Sequence, residues 1–244
     1  MKIATITNKT NSGELSVSKS IGNLIIATDV AVGGFRIEKV TIYIERANGN
    51  NVYLANKVDL ASFILASTYG SSAVQSRIDY NQIALCELAV DGGIFLDEKE
   101  TLKIEFDGLD VTKKYDLFGV EEPEISNLLY FFENKSVSSE DTNKKIQLTE
   151  FDMMVLNNDD TISDISLTFA NRQVIKYLPF ELEILSKDID PISVFGEVHG
   201  HGLSTVSLGY PRKLCLPLIS VDFLEMNKEQ GELVNFMVRT IKQV

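Results

Sequence analysis

Along this chain, apolar and polar residues alternate with a period of two far more often than with a helical period. In KVTIYIE, from Lys39 to Glu45, Val40, Ile42 and Ile44 share one face while Lys39, Thr41, Tyr43 and Glu45 share the other. Successive side chains of an extended strand point to opposite sides, so the pattern predicts a half-buried β-strand. The cluster Asn48-Gly49-Asn50-Asn51 follows, and its residue types tolerate positive φ, as a tight turn requires. Thr101–Asp107 repeats the alternation, with Leu102, Ile104 and Phe106 facing inward. Asn23–Val30 is a continuous apolar run, the signature of a strand covered on both faces. Gly33-Gly34 and Asp91-Gly92-Gly93 punctuate strand ends.

Helical spacing is brief. Leu60, Phe63 and Ile64 behind Asp59 predict one short helix with Asp59 as its N-cap. Ile125, Leu128, Leu129 and Phe132 fall at i, i+3, i+4 and i+7 behind Pro123, with Glu121, Glu122 and Glu124 near the positive end of a helix dipole. That spacing reads as a connector helix, although LLYFF fits a strand equally well. Residues 134–145, NKSVSSEDTNKK, form the most polar stretch and read as an exposed loop.

The second half repeats the first. Ile37, Val40, Ile42 and Ile44 are matched by Ile162, Ile165, Leu167 and Phe169 at an offset of 125. Val52 meets Val174 at 122, Ile64-Leu65 meets Ile184-Leu185 at 120, and Tyr69-Gly70 meets Phe195-Gly196 at 126. Leu85-Cys86 meets Leu214-Cys215 at 129, and Phe95-Leu96 meets Phe223-Leu224 at 128. A strand ends each unit in the same way, Leu102/Ile104/Phe106 against Val234/Phe236/Val238. Shared order under a drifting offset is what a tandem duplication with loop insertions produces. Each unit of near 120 residues then holds about eight strands and cannot leave both faces of a single sheet wet. It must fold as two packed sheets. The expected fold class is all-β: two tandem eight-stranded jelly-roll β-sandwiches with short helical insertions. The expected domains are 1–120, an N-terminal jelly roll with a short N-terminal arm, and 121–244, a C-terminal jelly roll.

Composition narrows function mostly by exclusion. The 244 residues are 44% hydrophobic and 24% charged, an ordinary globular balance. No apolar run approaches the ~20 residues of a membrane-spanning helix, and the first twenty residues show no signal-peptide pattern, so cytoplasmic synthesis is expected. Cys86 and Cys215 lie far apart without CxxC spacing and read as reduced thiols. With 23 Lys+Arg against 35 Asp+Glu, the net charge is −12, which repels phosphate and argues against direct nucleic-acid binding. The basic pairs Lys113-Lys114 and Lys144-Lys145 have acidic neighbours, while Lys2, Lys9 and Lys19 against Glu14 leave the first twenty residues slightly positive.

FRIEKVTIYIERANGNNVYLANKVDLASFIL in the first half and TISDISLTFANRQVIKYLPFELEIL in the second each run strand, turn, strand, then a short insertion. In this pattern the chain resembles the double jelly-roll major capsid proteins of icosahedral, internal-membrane-containing bacterial viruses, of the corticovirus-like, lipid-containing phage type. The resemblance covers nearly the whole chain. It implies a structural virion protein located in the capsid, forming homotrimeric, pseudo-hexagonal capsomers that tile an icosahedral shell over a membrane. It also implies as partners the neighbouring capsomers, vertex and minor capsid proteins, and the internal membrane, which the N-terminal arm would meet. The chain is short for that family, which implies small loops between strands.

Other readings stay open on the sequence: a minor or vertex capsid protein, a two-domain β-sandwich binding or adhesion module, or a cupin-like metalloenzyme. The last would use Glu197, His199 and His201, which share one side of an extended strand. The residues after His201, GLSTVSLGYP, supply no further acid, and the chain has only these two histidines. Asp159-Asp160 and Asp188/Asp190 sit beside turn residues and read as caps, not as a glycosidase pair. No catalytic, metal or cofactor residues are therefore assigned, and no enzymatic activity is expected.

Overall fold

The computed structural model describes residues 1–31, 34–68, 75–77, 79–157, 160–182, 197–198, 203–204 and 213–244. In chain order the first half holds β1 (Lys2–Thr7), β2 (Leu15–Val17), β3 (Ile21–Thr28), β4 (Lys39–Glu45), β5 (Asn51–Asp59), α1 (Leu60–Ser67), β6 (Gln75–Arg77), β7 (Tyr80–Glu87), β8 (Gly93–Ile94), β9 (Thr101–Asp107) and β10 (Lys114–Glu121). The second half holds β11 (Ile125–Ser126), β12 (Leu128–Val137), β13 (Asn143–Gln147), β14 (Met153–Asn157), β15 (Ile162–Phe169), β16 (Val174–Tyr177), β17 (Glu197–Val198), β18 (Leu203–Ser204), β19 (Lys213–Pro217), β20 (Val221–Lys228) and β21 (Val234–Gln243).

Strand order reveals two copies of one topology. The first half forms the sheet β1-β10-β3-β7, extended by β6, facing β2-β9-β4-β5. The second forms β12-β21-β14-β19 facing β13-β20-β15-β16. With the short strands β6, β8, β11, β17 and β18 set aside, eight remain in each half, and taken in sequence both sets read first-eighth-third-sixth against second-seventh-fourth-fifth. That interleaving is the double Greek key of a jelly roll. The rolls are also fused: β5 pairs in parallel with β12 through Ala55 and Phe132, so one eight-stranded sheet, β19-β14-β21-β12-β5-β4-β9-β2, runs through both.

The repeat seen in sequence is therefore topological, with two corrections. β4 matches β15, β5 matches β16 and β7 matches β19, as the offsets placed them. At the ends of the units the match slips by one strand, because β9 corresponds to β20, and β10 (KYDLFGVE) corresponds to β21. The Leu102/Ile104/Phe106 strand is thus the seventh of its roll and not the last. Ile184-Leu185, Tyr69-Gly70 and Phe195-Gly196 lie outside the described residues.

The connector helix over Ile125–Phe132 is also corrected to β11 and the start of β12. Leu128 is exposed while Leu129, Tyr130 and Phe132 are buried. β12 gains ladder partners on both sides, β21 and β5, and those bonds outweigh the helical spacing. The expected loop at 134–145 shrinks to the turn between β12 and β13, since β12 continues to Val137 and β13 begins at Asn143. β13 is an edge strand, mostly exposed along its length, where Lys residues guard against further pairing. Residues 1–20, expected as a short arm, are folded into the first roll: β1 pairs with β10 and β2 with β9.

Other expectations hold locally. The β4–β5 turn closes with Gly49 at φ +81°, Gly49 N donating to Arg46 O and Asn50 N to the Asn48 side chain. α1 follows Asp59, whose carboxylate accepts from Ser62 N at 2.8 Å, satisfying one of the donors a helix start leaves open. Every side chain of α1 is buried. A helix so enclosed is a wedge, with no wet face.

A candidate assembly surface: the seam between the rolls

What encloses α1 is the second roll. The strands of the sheet β12-β21-β14-β19 send alternate side chains to opposite faces. On one face Met154, Leu156, Leu214, Leu216, Phe236 and Val238 fill the second roll's own core. On the other, Met153, Val155, Cys215 and Met237 join the core of the first roll, where α1 lies. Phe63 of α1 meets Phe132 of β12 edge-on at 4.8 Å between centroids. Cys215 Sγ approaches Leu65 O at 3.8 Å. The two cysteines, aligned by sequence, therefore face different partners: Cys86 points into its own roll, Cys215 across the seam. Cys86 stands opposite the inward Leu24 and Cys215 opposite the outward Val155, so the sequence match between them is one residue out of step with the fold and places them on opposite faces.

Two cations fasten the seam. Arg239 on β21 is fully buried. Its Nη1 donates to Ala66 O at 2.5 Å, and its Nη2 and Nε donate to the Asp152 carboxylate at 2.6 and 3.2 Å. Its guanidinium also stacks 4.5 Å from the Tyr130 ring. A planar five-donor fork suits this task, as one group reaches the open C-terminal carbonyls of α1 and a carboxylate together. Lys213 on β19 closes the other end of α1, its Nζ lying 2.8 Å from the N-cap carboxylate of Asp59, 2.9 Å from Ser62 Oγ and 2.8 Å from Asn157 Oδ1. Beside it, Arg36, Lys39, Lys57 and Lys135 line a cavity of about 340 Å³ that spans the two rolls.

The first roll's equivalent sheet, β1-β10-β3-β7, differs. Its inner side chains fill the first core, but the outer row Phe118–Ile25–Leu85, in cross-strand register, is half-buried to exposed. At the β1 edge of this face Asp116 is buried among Thr5, Tyr80, Lys2 and Lys114. Burial alone would raise its carboxyl, but the hydrogen bonds from Lys114, Thr5, Tyr80 and Lys2 outweigh that and hold it well below the usual carboxylate range. Tyr43 on the opposite sheet donates to Glu14 at 2.5 Å, and this bond, with burial, pushes its phenol up to about 12.

Elsewhere the chemistry is sparse. Lys2 and Lys19, two of the N-terminal cations, pair with Asp116 and Glu121. His199 and His201 lie outside the described residues, as do Asp159, Asp188 and Asp190. Among the described residues no group of three His, Cys, Asp or Glu side chains is placed to hold a metal. Burial pushes the Cys86 thiol up to about 12, far from the thiolate a nucleophile needs. Sequence reasoning missed Arg239; its signal was a lone arginine inside the apolar strand NFMVRTI.

No protein-family model and no curated protein matches the sequence. Among solved structures the chain is similar to the major capsid protein P2 from bacteriophage PM2, with a TM-score of 0.53 at 8% identity. The likeness covers 100% of this chain and 98% of that one. It is also similar to a chain in the atomic structure of Sulfolobus Turreted Icosahedral Virus, with a TM-score of 0.52 at 7% identity, covering 100% and 91%. These likenesses and the strand order agree: the fold is an all-β double jelly roll.

Proposed function

We propose that this chain is the major capsid protein of an icosahedral virus, acting in the virion shell without catalysis. The observation that carries the reading is the pair of fused jelly rolls, whose likeness to the PM2 coat protein runs the full length of both chains. Physical logic supports it. A chain with two similar rolls offers two similar outer flanks, and three such chains present six, enough to fill a near-hexagonal lattice site with one gene product. The units are residues 1–120 and 121–244, and the capsomer is a homotrimer. Its further partners are neighbouring capsomers, vertex and minor capsid proteins, and an internal membrane. The net charge of −12 fits a layer that does not pack the genome itself. Negative-stain micrographs of the concentrated protein test the reading. Hexagonal tiles, sheets or closed shells are expected; dispersed single chains at every concentration would overturn it.

A further inference from the structure

The cavity between the rolls carries a charge opposite to that of the chain. Acidic residues outnumber basic ones, 35 to 23, yet Arg36, Lys39, Lys57 and Lys135 line its walls against the single carboxylate of Asp59. That carboxylate is already engaged: it accepts from Ser62 N and Ser62 Oγ and lies 2.8 Å from Lys213 Nζ. Glu38, two residues from Arg36, turns its carboxylate to the backbone N–H groups of Arg36 and Ile37 and not to the guanidinium. Lys135 pairs with Glu133 at 3.0 Å. The other three cations, Arg36, Lys39 and Lys57, form no ion pair with a described residue. Lys57 is also held in an unusual backbone. Between the pairs Val40–Val58 and Ile42–Ala55 the ladder sets Asn56 and Lys57 against Thr41 alone, a bulge in β5. Lys57 takes φ +49° there, a left-handed conformation that Gly normally supplies at such a bulge. Strain of this kind at a long cationic side chain is characteristic of a functional position.

We propose that this cavity binds phosphate groups, and that the bound anion bridges the two rolls. Arg36, Lys39 and Lys57 reach it from the first roll, and the side-chain amides of Asn157 and Asn235 line it from the second. Like charges gathered around one cavity repel, and an anion among them turns that repulsion into attraction. Phosphate suits the donors better than a carboxylate does. A guanidinium fork holds two phosphate oxygens at once, and lysines supply point charges around them. A phosphate monoester also carries close to two charges and accepts through three oxygens. The volume of about 340 Å³ lies at the small end of ligand pockets, ~300–1,000 Å³, which fits pyrophosphate or a compact phosphate monoester. The same chemistry reaches the site from two sources, a soluble phosphate or a lipid headgroup.

Thermal melting under rising pyrophosphate, with sodium chloride adjusted to hold ionic strength constant, tests the proposal. In the unaltered chain Tm should rise by about 5–10 °C at a hundredfold excess over Kd. K57G and R36Q should lose most of that rise. Gly accepts the positive φ of the bulge without steric cost, so K57G in chloride should melt no lower than the unaltered chain. R36Q changes an exposed side chain and serves as the second variant. In a parallel arm each chain is sedimented with phosphatidylcholine vesicles, with and without phosphatidate. A pyrophosphate response without vesicle binding supports the site and makes soluble phosphate its source. Phosphatidate-dependent sedimentation that K57G and R36Q lose supports it and makes the lipid headgroup the source. An unaltered chain that responds to neither would overturn the proposal. An equal rise in all three chains would be the general exclusion of phosphate from protein surfaces, and would overturn it too. The capsid reading stands or falls separately, on association of the chains.

Discussion

β19 and β7 are the sixth strands of their respective rolls, yet their burial differs. β7 alternates, with Ala84 and Cys86 buried and Leu85 exposed, whereas β19 buries Leu214, Cys215 and Leu216 in succession. The third strands differ in the same sense: β14 buries Met153, Met154, Val155 and Leu156 without a break, while Asn23 and Ile25 of β3 are only partly covered. Topology is common to both rolls; what separates them is whether something lies on the outer face of the sheet. In the second roll that cover is α1 of the first. The difference teaches that the outer face of this sheet is buried where the neighbouring roll covers it, and that the chain supplies such a cover to the second roll.

The largest way to break the comparison is to remove the fastening of the covered flank. R239A deletes the group that joins Ala66 O, Asp152 and Tyr130, and breaking such a buried pair costs about 3–5 kcal/mol. F63A, which empties the α1 position against Phe132, should cost a similar ~3–5 kcal/mol. Urea unfolding followed by circular dichroism measures both. The corresponding change on the open flank, F180A, should move the stability of the dissociated chain by less than about 0.5 kcal/mol, since it removes an exposed side chain.

Asp116 sharpens the comparison through pH. Its folded-state pKa lies below the roughly 3.9 of an unfolded aspartate, so its stabilisation is complete well above that value. It is lost as pH falls through about 4 towards the folded value. D116N should cost about 1–3 kcal/mol near neutrality by leaving the surrounding donors without their anion, and stability measured from pH 6 down to pH 2.5 should fall less steeply than in the unaltered chain. K213A, which frees the Asp59 cap, should cost about 1–2 kcal/mol. Its effect should appear as faster amide exchange in α1 before any change in β3 or β7.

Much of this fold was legible before the structure, because period-two alternation in β4 and β9 and the Asp59 cap of α1 are local signals. The elements that eluded sequence reasoning depend on distant partners. β12 carries a helical spacing that only β21 and β5 override. β13 is polar because it is an edge, and polarity alone cannot separate an edge strand from a loop. β10, missed as the closing strand of the first roll, has Tyr115 and Leu117 facing inward but buries Asp116 on its other face, which masks the alternation. The seam was out of reach for a similar reason: Arg239, Lys213 and Asp59 are meaningful only once the rolls are side by side.

The capsid reading requires copies of the chain to associate. Sedimentation equilibrium of the unaltered chain reads this most directly, through the mass of the smallest stable assembly. Three chains per particle is the predicted result. A single chain that persists across all concentrations would contradict it.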